Sequence, residues 1–174
     1  MRGSIASLAL IFGAACQPNT GRPVFSPLPD AAGTEVRLTP AEATRQLAAA
    51  LRADSVPVTK VLVRDAYLET RWFDAKTGRS RSSSLGPGVV RVRAWADPAR
   101  PGSSQLAVET AYRALADPSL PPRELDRQVP AKHPVAVKVD SVLQQLVKRF
   151  GGPPPPQAET PAPAGAREGP PDVQ

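Results

Sequence analysis

The chain is short of cysteine, histidine and long apolar runs, and each shortage removes a class of protein. It has one cysteine, Cys16, so no disulfide can form within the chain. It has one histidine, His133. A His-dependent triad needs that ring held by a carboxylate and touching a nucleophile. Nothing near His133 in sequence offers either, and its place beside Pro134 suits a loop residue at a helix start. No stretch approaches the ~20 apolar residues that span a bilayer. No glycine-rich phosphate loop occurs, and no His, Cys and carboxylate cluster has metal-ligand spacing. Asp65, Glu69 and Asp74 are close enough in sequence for an acid–base pair. Their positions on a strand and its turn suit surface residues better. These absences predict a protein that is not an enzyme and holds no cofactor and no metal.

Proline is plentiful instead, at 22 of 174 residues, and gathers toward both ends. The formal net charge is +6. Such a balance suits an anionic partner, a lipid surface or nucleic acid. The first sixteen residues decide between them. Met1 and Arg2 supply positive charge, Ile5 to Phe12 is apolar except for Ser7, and Gly13, Ala14 and Ala15 are small. That order is an export signal, and export argues against nucleic acid. The small residues end in Cys16, and the stretch resembles a bacterial lipoprotein signal. An ordinary secretory signal is the rival reading, and both cut before Cys16. The resemblance implies removal of residues 1–15 and lipidation of Cys16. Two or more acyl chains would then hold the protein on a membrane, where one binds only marginally. Gln17 stands where aspartate retains such proteins in the inner membrane, so the likeness implies delivery to the outer membrane, facing the periplasm.

Residues 16–33 carry four prolines and few residues to bury, which predicts an extended tether. Thr34 to Leu38 is a weak edge strand. Thr39-Pro40-Ala41-Glu42 has the form of a capping box with proline at the first helical position. Ala43, Leu47, Ala50 and Leu51 follow on one stripe, so the spacing predicts a helix from Pro40 to about Ala53. Val58 to Phe73 is extended, with a change of phase that needs a bulge or tight turn at Arg64–Ala66. Val89 to Ala96 and Gln105 to Arg113 read as two strands joined by a turn at Asp97–Gly102. The prolines of Ala116 to His133 predict an irregular crossing. Pro134 to Phe150 has a broad apolar stripe and reads as a long helix. A strand at Val135–Val139, followed by a shorter helix capped by Asp140, is the alternative. Residues 151–174 are too rich in proline and too polar to fold, which predicts a disordered tail.

The expected domain, residues 34–150, is therefore α+β. It is a two-layer sandwich in the order (β)αββββα, with an antiparallel sheet of about four strands and two helices on one face. The other sheet face should stay wet. Strict alternation places Arg91, Arg93 and Trp95 on it, with Arg113 on the neighbouring strand. Aromatic and arginine side chains together are enriched at binding interfaces, so these four are the candidate partner-binding residues. A solvated face with cross-strand charge pairs is the plainer alternative.

The segment Ala66-Tyr67-Leu68-Glu69-Thr70-Arg71-Trp72 resembles the "G-x-I-E-T-x-W" strand of the BamC family, lipoproteins of the outer-membrane β-barrel assembly machinery. Ala66 departs from that pattern. The resemblance implies a helix-grip fold and an accessory role in outer-membrane protein assembly. The sequence thus points to a lipid-anchored envelope protein that acts by binding an envelope protein partner. A carrier of a small apolar ligand or lipid, held between sheet and helix, is the second reading.

Overall fold

The computed structural model describes residues 20–151. Cys16, the signal before it and the tail after Gly151 lie outside the described residues. Seven strands and two helices follow in the order β1 (Ala32–Val36), α1 (Pro40–Ala53), β2 (Val58–Leu62), β3 (Tyr67–Thr70), β4 (Phe73–Asp74), β5 (Val89–Pro98), β6 (Ser104–Tyr112), β7 (Arg127–Gln128) and α2 (Pro134–Phe150). The strands form one antiparallel sheet in the spatial order β1-β6-β5-β3-β2. The two-residue strands β4 and β7 pair with β5 and β6 respectively.

This corrects the expected sandwich of about four strands in the order (β)αββββα. The molecule is mostly sheet, and the sheet has seven strands. A two-residue strand has no periodicity to read. β4 exists because Phe73 and Asp74 meet Val90 and Val89 after the chain breaks away from β3 at Arg71. β7 exists because Arg127 and Gln128 meet Tyr112 and Ala111, inside the stretch expected to be irregular.

Both helices begin and end where their caps place them. Thr39 Oγ1 accepts the Glu42 N–H, and Pro40 takes the first turn of α1. His133 caps α2, its Nδ1 accepting the Val135 N–H at 3.3 Å. Burial depresses the His133 pKa, which favours the neutral ring that this cap requires. Val135 and Val139 are helical, and Asp140 lies within α2 rather than at its cap. The change of phase after β2 is a tight turn, with Ala66 at a positive φ of 51°.

Leu47 and Leu51 of α1 and Val139, Val142 and Leu143 of α2 share one core with Leu68, Val92, Ala94, Leu106 and Val108 of the sheet. Each of those side chains is at most 5 % exposed. The helices therefore fill the space over the inner sheet face. Tyr67, Glu69, Arg91, Arg93, Trp95, Glu109 and Arg113 point to the outer face by the period of two.

Candidate functional site

The centre of the outer face, at Tyr67, Arg93, Trp95 and Glu109, is covered, not wet. Residues 22–28, expected to be part of a free tether, lie across it as a strap. Arg22 pairs with Asp97 at 2.7 Å. The Leu28 N–H donates to Glu109 Oε2 at 2.9 Å. Phe25 lies edge-on to Trp95, with ring centroids 6.3 Å apart. The Arg123 and Arg93 guanidinium carbons lie 4.3 and 5.1 Å from the Phe25 ring centre. The Phe25 side chain stays 37 % exposed, so cation–π attraction to these two guanidinium groups is a main part of what holds it.

Beneath the strap is a network of arginines and carboxylates. Arg93 is 3 % exposed and donates to Glu109 Oε1 at 2.7 Å and to Asp126 Oδ2 at 2.9 Å. Arg123 donates to both Glu109 oxygens, at 2.7 and 2.9 Å, and to the Ser26 carbonyl of the strap at 2.6 Å. Arg113 Nε donates to Asp126 Oδ1 at 2.7 Å. The Glu109 and Asp126 side chains are fully buried. Buried carboxylates survive only with such partners, because an isolated charge in that position would cost several kcal/mol. Nearer the β2 edge, Glu69 takes Arg91 Nη2 at 2.6 Å and the Tyr67 hydroxyl at 2.8 Å. Arg91 and Arg113 flank the Trp72 ring at 6.0 and 5.0 Å.

The four expected partner-binding residues therefore have different fates. Arg91, Arg93 and Arg113 converge with Arg123 around a cleft of about 240 Å³, roofed by Pro23, Phe25 and Pro122. Trp95 does not line it. It is 1 % exposed, packed between Phe25 and Tyr67. Arg93 and Trp95 are covered, which corrects their assignment to an open partner surface. Phe25, Glu109, Arg123 and Asp126 were missed as members of the site. Glu109 had a visible signal, an acidic residue facing Arg93 across two predicted strands. Phe25 and Arg123 had none, since both sit in proline-rich stretches.

Chemically the site is a closed set of ion pairs. Its carboxylates are occupied by guanidinium groups, and arginine cannot serve as a base in proteins. Among the described residues, Arg91 Nη1 and Arg113 Nη2 have no hydrogen-bond partner, and no three His, Cys, Asp or Glu side chains group as a metal site. The chain matches no family model and no curated protein.

Tyr67 makes the site sensitive to alkali. Burial and the Glu69 carboxylate both raise its pKa, burial most. A raised folded pKa contributes stability that is intact below the unfolded value, about 10, and is lost as pH rises above it. Urea midpoints measured from pH 9 to 11.5 should fall more steeply for the wild type than for Tyr67→Phe. The difference should approach about 1.4 kcal/mol per pH unit above pH 10. Equal slopes in the two proteins would show that the hydroxyl does not carry the effect.

Proposed function

We propose that this is a lipid-anchored, non-enzymatic protein of the cell envelope that acts by binding another envelope protein. The observation that carries the reading is the docked strap. The chain is engaged by the fold from Gly21 onward, whose N–H donates to Asp65 Oδ2 at 2.9 Å and whose carbonyl accepts from Lys60 Nζ at 3.2 Å. Cys16 lies only five residues earlier. A lipid on Cys16 would therefore hold the whole domain close to a bilayer, as suits a protein that presents a surface to partners there. The likeness of Ala66–Trp72 to the BamC strand gives this reading its specific form, an accessory role in outer-membrane protein assembly. The carrier reading has less support, because Leu47, Leu68, Leu106 and Val142 already fill the space between sheet and helices.

The test combines two measurements on protein from native membranes. Mass spectrometry should find Cys16 at the mature amino terminus, carrying acyl chains. Cross-linking in intact cells, followed by mild detergent extraction, should recover an envelope protein in defined contact with residues of the domain. An unmodified Cys16, or a domain that cross-links to nothing in the envelope, would sink the proposal.

A further inference from the structure

The strap fixes which end of the domain can face the lipid. Gly21 lies beside Asp65, and Arg22 beside Asp97, at the end of the sheet formed by the β2–β3 and β5–β6 turns. The opposite end is built from the β4–β5 loop, the end of α1 and the start of α2. Lys138 Nζ reaches the Asp54 carbonyl there, and Lys76 and Lys138 line one depression with Ser55 and Thr77.

That opposite pole is strongly basic. Arg71, Lys76, Arg79, Arg81, Lys132 and Lys138 are all exposed, and among the described residues none of them forms a salt bridge. The carboxylates packed among them are Asp54 and Asp74. The Asp74 carboxylate accepts from the backbone N–H groups of Lys76 and Thr77, both at 3.0 Å, so it and Asp54 stand among six cations. By contrast the arginines of the outer face, Arg22, Arg91, Arg93, Arg113 and Arg123, are each matched to a carboxylate, as is Arg100 at the lipid-proximal end, where Arg37, Arg64, Lys148 and Arg149 are exposed without a salt bridge and would face the bilayer. Charge left unmatched on a surface costs self-repulsion, and it steers an oppositely charged partner.

We infer that this basic pole is a docking surface for an acidic protein segment, displayed away from the bilayer that holds the anchor. The inference rests on the lipid-anchored reading for its orientation. Five residues from Cys16 to Gly21 reach at most about 18 Å. The distance along β5 from Asp97 to Val89 is about 27 Å at ordinary strand rise. While the strap is docked, the chain is too short for the domain to invert and set its basic pole on the membrane. The same charges on a freely hinged domain would be drawn to anionic lipid; here an acidic protein is the partner the geometry favours.

The test uses the full acylated chain in vesicles containing phosphatidylglycerol, with a poly-glutamate peptide of about twenty residues as the probe. The wild type should bind the peptide, more weakly as salt rises. The triple variant Lys76→Glu, Arg79→Glu, Arg81→Glu should bind roughly tenfold or more weakly. These side chains are exposed, and a circular dichroism melt checks that the variant is folded. Cys16 is occupied by lipid, so a cysteine introduced at Ser80 or at Arg64 takes a fluorophore uniquely. A headgroup quencher should reach the label at Arg64 and not the label at Ser80. Wild-type affinity in the triple variant would overturn the docking surface. Equal quenching at both positions would overturn the orientation and assign the pole to lipid. Acylation is read by mass in the same preparation, so failure of the anchored reading shows separately, as a missing acyl mass.

Discussion

Replacing Arg93 by alanine is expected to lower the unfolding free energy by about 3–5 kcal/mol. Arg93 bridges Glu109 and Asp126 at 2.7 and 2.9 Å, and both carboxylates have no solvent-exposed surface. Removing it leaves two buried negative charges with fewer partners, which is the costly way to break a buried pair. Arg123 and Arg113 still reach these carboxylates, so the lower part of the range is the natural expectation. The strap should suffer too, because Phe25 loses part of its platform and Glu109 also holds the Leu28 N–H. The contrast is Arg91→Ala. Its pair with Glu69 is partly exposed, and such pairs are worth about 1 kcal/mol or less. Urea denaturation of the two variants separates them. If Arg93→Ala costs no more than Arg91→Ala, the network is not what holds the outer face together. Limited proteolysis within residues 22–28 gives a second readout, with faster cutting expected in Arg93→Ala.

Substituting serine for Cys16 is expected to move the protein from the membrane pellet to the soluble fraction. The anchor would be the acyl chains, each buried CH₂ contributing about 0.8 kcal/mol and a second chain converting marginal into stable attachment. The described residues offer no substitute. Among them no helix is long and apolar enough to cross a membrane, and the apolar stripes of α1 and α2 are used in the core. The serine variant should melt like the wild type, since Arg22 to Leu28 dock without Cys16 and surface changes rarely exceed about 0.5 kcal/mol. Fractionation, detergent partition and a thermal melt check these outcomes together. A serine variant that still pellets with membranes would mean that something other than lipid attaches the protein.

Local rules decided the helices from the sequence alone. Thr39-Pro40 and His133-Pro134 mark their starts, and the apolar stripes from Leu47 to Leu51 and from Val135 to Leu146 mark their buried faces. Caps and 3.6-residue spacing act within a few residues, so a sequence shows them directly. The period of two likewise assigned Arg91, Arg93 and Trp95 to one face of β5. What that face meets was beyond such rules. Arg93 finds Asp126 thirty-three positions away, and Leu28 finds Glu109 eighty-one positions away. The residues of the strap and of the Pro121–Asp126 loop have no periodicity of their own, and their places come from charges and rings they meet only after the sheet has formed. β4 and β7 depend in the same way on the ladder edges that β5 and β6 leave open. The sequence by itself determined the first helix, the apolar stripe of the second and the alternation of the long strands, because each is a pattern of neighbours. Only the tertiary structure decided that the centre of the outer face is closed, because burying Glu109 and Asp126 requires arginines from three separate parts of the chain.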